Sequence, residues 1–309
     1  MTASKRRIAF LGPTGTFTEQ ALVSQDDLAH DELVEKPKFT DVLTATSEGE
    51  TDLGFVAIEN AIEGTVNVTL DALAFDHELL IQREVVLDIR LNLMAHPDAD
   101  LQSITTVTSH PVANAQCRKF LDKEVPSALV KAANSTAEAA VLAGEDPTVA
   151  AIGPAHAAER YGLTIIAPDI ADHVGNQTRF VLVAPTGVPA PSGHDKTTVV
   201  LTQREDKPGS LVSILQEFSA RNINLSRLSS RPVKTELGQY CFIIDLDGHI
   251  ADDVTAQALR NIRAKFADVK FLGSYPAAGN GSTDLREQAN ASFAEAEAWM
   301  DGLRDQIGD

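Results

Sequence analysis

Arg7-Ile8-Ala9-Phe10-Leu11-Gly12-Pro13-Thr14-Gly15-Thr16-Phe17-Thr18-Glu19-Gln20-Ala21 decides the fold class of this 309-residue chain. Arg7 to Leu11 is an apolar β run. Gly12, Pro13 and Gly15 then make a tight turn, and a helix begins near Phe17. Thr16 with Glu19 three residues on is a capping box, which marks the helix start. A strand passing through a short turn into a helix is the building unit of α/β architecture. The turn carries neither the P-loop lysine nor the dinucleotide fingerprint, so nucleotide binding is not expected. Its glycines let it aim amides and the hydroxyls of Thr14 and Thr16 at whatever sits above the strand.

The same alternation continues downstream. Asp52 to Ile58 is a buried strand, Leu79 to Met94 carries long β-rich stretches, and Thr105 to Thr108 is a strand with a helix after Pro111. Thr148 to Ile152 and Leu163 to Ala167 are short strands flanking a helix. The length permits one large sheet or two lobes. The Pro- and Gly-rich stretch from Pro185 to Gly193 has no apolar period and reads as a linker. Beyond it the order changes to strand (Thr197 to Gln203), helix (Ser210 to Arg221), strand (Leu225 to Pro232), turn (Thr235 to Gly238), strand (Gln239 to Leu246), helix (Asp252 to Phe266) and strand (Val269 to Tyr275). That βαββαβ order is ferredoxin-like. A second break, Ala277 to Ser282, precedes a tail. There Leu285, Ala289, Phe293, Ala296, Met300 and Leu303 form a helical stripe, expected to dock on the body or on another subunit. The expected organisation is a domain over 1–185, a linker over 186–195, a second domain over 196–276 and a tail over 277–309.

Composition narrows the function classes. The net charge of −18 repels nucleic acid and anionic membranes. An anionic ligand needs local positive potential from helix N-termini, amides and a few basic side chains. No apolar run approaches a membrane span, and the polar Met1 to Arg7 leads into too short an apolar run for a signal peptide. A cytoplasmic location is expected. Cys117 and Cys241, far apart in sequence, read as two buried free thiols. No His, Cys, Asp or Glu cluster has metal-ligand spacing.

Three further motifs carry chemistry. In Ala57 to Val66 a buried strand ends in polar Glu59 and Asn60, and ligands of open α/β sheets bind at strand carboxyl ends. In Thr108-Ser109-His110-Pro111-Val112-Ala113-Asn114-Ala115-Gln116-Cys117 a strand meets a helix N-terminus suited to an anion, with Ser109 or His110 as cap and Gln116 seven residues after Ser109. In Gly175 to Val183 a polar turn leads into an apolar strand, with Arg179 beside the Thr178 hydroxyl as a carboxylate clamp through its fork. Taken singly, each motif also reads as an ordinary turn, cap or surface ion pair.

Taken in order, the four motifs resemble the prephenate dehydratase family, over residues 6 to 185, and the part beyond the linker resembles that family's ACT domain to about 275. The most specific elements are Asn176 to Phe180, Thr108 to Pro111 with Gln116-Cys117, and Glu59-Asn60. The resemblance implies a two-lobed α/β catalytic domain like a periplasmic binding protein, with the site in the cleft, followed by the ferredoxin-like ACT domain. It implies decarboxylative dehydration of prephenate to phenylpyruvate with no cofactor and no metal. It places the essential threonine at Thr178 and the acidic-amide pair at Glu59 and Asn60, with Glu59 acting behind Thr178. Asn60, Ser109, Gln116, Arg179, Thr14 and Thr16 are the implied substrate-binding residues. L-phenylalanine is the implied effector, bound near Gly209, Ser210, Leu211, Asn224, Leu225, Ser230 and Arg231 by paired ACT domains in a homodimer or homotetramer. Two departures stand out: Ser210 replaces the usual Ala, and Ser229 the usual Glu. The chain starts at the first dehydratase strand, so a single activity is expected. The rival expectations are an arogenate dehydratase and a non-catalytic solute sensor.

Overall fold

The computed structural model describes residues 5–205, 207–233, 239–279, 295–296 and 298–306. The opening strand β1 (Arg7–Leu11) buries Ile8, Ala9 and Phe10 completely. A strand apolar on both faces belongs inside a parallel sheet covered by helices. Accordingly β1 pairs in parallel with β2 (Glu32–Lys36) and β3 (Leu53–Asn60). Helices α1 (Phe17–Val23) and α2 (Phe39–Ser47) make the connections. A two-residue strand β4 (Gly64–Thr65), a short helix α3 (Asn67–Asp71) and a π-helical turn (Ala72–Asp76) lead to β5 (Leu80–Asp88).

The chain then builds a second lobe from β6 (Asn92–Ala95), β7 (Thr106–Ser109), α4 (Pro111–Gln116), α5 (Arg118–Glu124), β8 (Leu129–Ala132), α6 (Thr136–Glu145), β9 (Val149–Gly153), α7 (Ala155–Tyr161) and β10 (Thr164–Ala167). Its sheet runs in the order β10-β6-β9-β7-β8. A layer of small residues, Ala139, Ala140 and Ala143 of α6 with Ala157 and Ala158 of α7, packs on Ala151 of β9. The chain returns through β11 (Gln177–Ala184), which gives the first lobe the order β2-β1-β3-β11-β5, with β4 paired to β3. Phe55 of β3 stacks on Phe180 of β11 with ring centroids 5.2 Å apart, a favourable offset arrangement. The chain thus passes between the lobes twice, at 89–91 and at 168–176.

The ferredoxin-like order is present as β12 (Asp195–Gln203), α8 (Ser210–Ser219), β13 (Leu225–Pro232), β14 (Tyr240–Asp247), α9 (Asp253–Lys265) and β15 (Ala267–Pro276). The antiparallel sheet has the order β13-β14-β12-β15. Ile214 and Phe218 of α8 with Ala258 and Ile262 of α9 cover one face, against Val199, Leu201, Ile244 and Leu246. On β14, Asp245 is fully buried and takes two bonds of 3.0 Å from the Arg227 guanidinium.

Contacts divide the chain into two compact units. One is the chain up to Leu70 together with Val85–Leu182; the other is Asp71–Glu84 together with the chain from Val183 onward. Within the second unit, Arg231 of β13 holds Asp71 through two bonds of 2.8 Å, and Lys196 of β12 holds Glu84 at 2.9 Å. The turn expected at 235–238 and the stripe residues Leu285, Ala289 and Phe293 lie outside the described residues. Residues 298–304 are helical, with Trp299, Met300 and Leu303 exposed. No helix among the described residues is long and apolar enough to cross a membrane.

Both cysteines are free and fully buried. Desolvation, reinforced by the charge of Asp172, pushes the Cys117 thiol up to about 12, and burial also raises that of Cys241. A thiol reacts as its thiolate, so iodoacetamide at pH 8 should alkylate neither cysteine in the native protein and both after unfolding. Intact-mass measurement reads this directly; one adduct on the native chain would contradict the burial.

Candidate active site

A cavity of about 880 Å³ opens in the first unit, walled by both lobes. From the first lobe come the β1–α1 turn, the end of β3 and the start of β11. From the second come α4 and the N-terminal turn of α6. Helix N-termini carry unpaired N–H groups and positive potential; α6 brings its own to the wall through Ser135 and Thr136. No group of three or more potential metal-ligating side chains occurs among the described residues.

The β1–α1 turn is fixed by the capping box read from sequence. Thr16 is the N-cap and accepts from the Glu19 N–H at 3.5 Å, while Glu19 Oε2 accepts from the Gly15 N–H at 2.5 Å. Glu19 is only 4% exposed and also meets His156 Nε2 at 3.0 Å and Arg160 at 3.4 Å, both on α7. Tyr161, at the end of α7, donates its hydroxyl to the Thr14 carbonyl at 2.8 Å. Thr16 lines the cavity. Thr14 does not: its carbonyl holds Tyr161 and its N–H meets Glu35.

Strand parity orders β11, because successive side chains point to opposite faces; on β3 both Ala57 and Asn60 line the cavity, so parity does not separate Glu59 there. Thr178 and Phe180 of β11 line the cavity, and Arg179 between them does not. On β3 Asn60 lines it and Glu59 does not; Glu59 instead lies 3.7 Å from Arg179. Arg179 and Glu59 thus pair with each other and are not among the residues that line the cavity. Ser109 does not line it either. It ends β7 rather than capping α4, is fully buried, and donates to the Ile152 carbonyl at 2.6 Å. His110 is the cap residue and lines the cavity instead.

Asn60, Gln116 and Thr178 are brought together with Asn176 and Glu63, for which no role was expected. Asn60 Nδ2 donates to Thr178 Oγ1 and to Asn176 Oδ1, both at 2.9 Å. Asn60 Oδ1 accepts from the N–H groups of Ile62 and Glu63 at 3.0 and 2.9 Å. Asn176 Nδ2 donates to Gln116 Oε1 at 3.1 Å, and Gln116 Nε2 to Glu63 Oε1 at 3.2 Å. Asn176 and Glu63 lie within the motifs at 175–183 and 57–66, but only the fold shows that both meet Gln116. Lys36, at the end of β2, was missed for the same reason; it lines the cavity and pairs with Glu50 at 2.7 Å.

The expected effector residues fall in two groups: Arg231 is level with Thr202 through Cys241, at the sheet end that leads into Gly209 and α8, while Asn224 and Leu225 follow the other end of that helix. Gly209 (φ 90°) is the N-cap of α8, and Ser210 bonds the Lys207 carbonyl at 2.8 Å. Asn224 and Leu225 follow the other end of α8; Asn224 donates to Asp247 at 2.7 Å. Ten helical residues separate the two groups, roughly 15 Å of rise. Ser230 and Arg231 lie toward the far end of β13, where Asp71 keeps the Arg231 guanidinium more firmly protonated through its hydrogen bonds.

Gly15 sits at φ 85°, and a Cβ there would come 2.6 Å from Tyr161 Cε2. Gly15→Ala should therefore lower stability by about 1–3 kcal/mol, read as a fall in the thermal midpoint. An unchanged midpoint would contradict the packing of Tyr161 on the turn.

The comparisons with known proteins now bear on this geometry. The family model described as prephenate dehydratase matches residues 8–187, and the ACT domain model matches 198–264. The prephenate dehydratase of Mycolicibacterium smegmatis is 41% identical over 310 residues, covering 96% of this chain and 97% of that one. Among solved structures, the prephenate dehydratase of Arthrobacter aurescens in complex with L-Phe is 39% identical with a TM-score of 0.86, covering 97% and 99% of the two chains. GqqA, described as a novel type of quorum quenching acylase, is 26% identical with a TM-score of 0.77, covering 88% and 98%. This chain belongs to the prephenate dehydratase family and carries that family's catalytic domain followed by an ACT domain.

Proposed function

We propose that this chain is a prephenate dehydratase whose ACT domain senses L-phenylalanine. The observation that carries the reading is the near full-length likeness to named prephenate dehydratases, together with a cavity that gathers Thr178, Asn60 and Gln116. Prephenate holds a ring carboxylate and an allylic hydroxyl. As the bond to the carboxylate breaks, its electron pair enters the ring and the hydroxyl departs. The hydroxyl takes up one proton, drawn ultimately from solvent, and leaves as water. Carbon dioxide and phenylpyruvate are the other products. Aromatisation supplies the driving force, so the chemistry asks for orientation and preorganised polar groups rather than a cofactor.

Thr178 is the hydrogen-bond donor to the leaving hydroxyl. Asn60, Gln116 and Thr16, all on the cavity wall, hold the carboxylates and the keto group with the α6 N-terminus and Lys36. Glu59 and Arg179 tie β3 to β11 through their ion pair, and Ser109 and Thr14 keep β7 and the β1–α1 turn in place. The ordinary organisation is a catalytic domain over 1–185, a linker over 186–195, the ACT domain over 196–276 and a tail over 277–309. Two copies pair through their ACT domains to complete the effector site.

Purified protein should convert prephenate to phenylpyruvate, followed by the product's absorbance, with arogenate and an acylated amine as competing substrates. Thr178→Ala should lower kcat by about a hundredfold or more with the fold retained by circular dichroism. A kcat near that of the parent would sink the assignment of Thr178, and turnover of a competing substrate alone would sink the reading.

Titration calorimetry on the full chain should detect L-phenylalanine. Binding should weaken on Asn224→Ala, which alters the Leu225 end of the site. Heat absent at millimolar L-phenylalanine would remove the effector half of the proposal.

A further inference from the structure

Glu63, Gln116, Asn176, Asn60 and Thr178 form an unbroken hydrogen-bond chain along the cavity wall, with links of 3.2, 3.1, 2.9 and 2.9 Å. Its three carboxamides could each point either way in isolation, but their neighbours decide. A carboxylate offers acceptors only, so Gln116 must turn Nε2 toward Glu63 and Oε1 toward Asn176. Asn176 must then give Nδ2 to Gln116 and present Oδ1 to Asn60. Asn60 answers with Nδ2, which it shares with Thr178 Oγ1. From the other end, the N–H groups of Ile62 and Glu63 claim Asn60 Oδ1, which demands the same orientation. The chain therefore has one polarity, and Thr178 Oγ1 stands at its end as an acceptor.

A hydroxyl that accepts one hydrogen bond still has its proton to give. Among the described residues no protein acceptor takes the Thr178 proton, and Thr178 lines the cavity. We infer that Asn176 is a positioning residue of the reaction. With Gln116 and Glu63 it locks Asn60 with Nδ2 toward Thr178, so that no carboxamide oxygen takes the Thr178 proton and it is left to donate toward the cavity. The inference rests on the reading of Thr178 as donor to the leaving hydroxyl. It also makes that donor conditional on the lobes, because Gln116 lies on α4 of the second lobe and Asn176 in the returning segment. The chain closes only when α4 stands at this distance from β3 and β11.

Kinetics on the full chain with prephenate test this. In Asn176→Asp the new carboxylate can still accept from Asn60, but it turns an oxygen toward Gln116. Gln116 must reverse, and its Oε1 then faces Glu63, acceptor against acceptor. kcat should fall about tenfold or more, as expected for one unpaired link, with KM changed less than about threefold. Adding Glu63→Gln supplies a donor for the reversed Gln116, so the double variant N176D/E63Q should regain at least about fivefold in kcat over N176D. A merely structural role for Asn176 gives no reason for rescue from residue 63, which it does not touch. Gln116→Glu creates the same clash with Glu63 and should be rescued by the same partner change; this pair decides the matter if N176D fails to fold by circular dichroism. An N176D kcat within about twofold of the parent, or a double variant no faster than its clashing single variant, would overturn the inference. A parent protein inactive on prephenate would instead overturn the functional reading, and this inference with it.

Discussion

One carboxamide holds the catalytic wall together. Asn60 uses every hydrogen-bonding atom of its side chain: Oδ1 takes two backbone N–H groups of its own loop, and Nδ2 serves Asn176, Thr178 and the Gln177 carbonyl. The loop after β3 has few other ties, among them the Ala61 N–H to the Gln177 carbonyl at 2.8 Å and the Val66 N–H to the Ile58 carbonyl at 3.0 Å. Its ladder with β4 consists of two pairs, Glu59 with Thr65 and Asn60 with Gly64, too short to hold a register unaided. The side chain thus does for the loop what a longer strand would do, and it fixes the start of β11 in the same act. Replacing it by an apolar residue would strand several partners, each at about 1–3 kcal/mol.

A second constraint is charge. The chain carries −18 overall, yet the proposed substrate has two carboxylates. The cavity reconciles these by keeping most of its own carboxylates occupied. Glu138 accepts from the Asn134 N–H at 2.6 Å in the α6 capping box, and Glu63 accepts from Gln116. Glu19, behind the wall, is surrounded by an N–H, His156 and Arg160. Backbone N–H groups and the α6 terminus supply fixed positive potential that no count of basic residues reveals.

The sequence carried most of the fold and part of the site. The strands at Arg7–Leu11 and Leu225–Pro232 and the helix starts at Phe17 and Ser210 were legible because apolar period and capping chemistry are local. β2 and β8 were not. Both are sheet edges, and β8 (Leu129–Ala132) is exposed along its whole length although it holds Leu129 and Val130, so neither shows the apolar–polar alternation of a half-buried strand. In the site, motif position identified Asn60, Gln116 and Thr178, but it could not tell the two faces of a strand apart. Arg179, between Thr178 and Phe180, alternates away from the wall, while Glu59 shares its strand face with Ala57, which lines the cavity. Ser109 was misplaced by one residue of strand end. Glu63 and Asn176 lie more than a hundred residues apart, and only tertiary structure brings both onto Gln116.

The ACT half poses a different problem, because its proposed ligand residues sit at opposite ends of α8. A helix of about 15 Å separates Gly209 from Asn224, more than one amino acid can bridge. On this reading the two ends meet only between copies related by a twofold axis, so the effector senses assembly as much as it binds a chain. Arg231 has a separate duty. Its fork is taken by Asp71, and an effector carboxylate would have to displace that bidentate partner. The holding of 71–84 is thus what the structure shows of this arginine. Ser229, where the family usually has Glu, then loses much of its weight. It lies between Arg227 and Arg231 on β13, and each of these arginines already has a carboxylate partner, Asp245 and Asp71. The missing Glu is not needed to neutralise either.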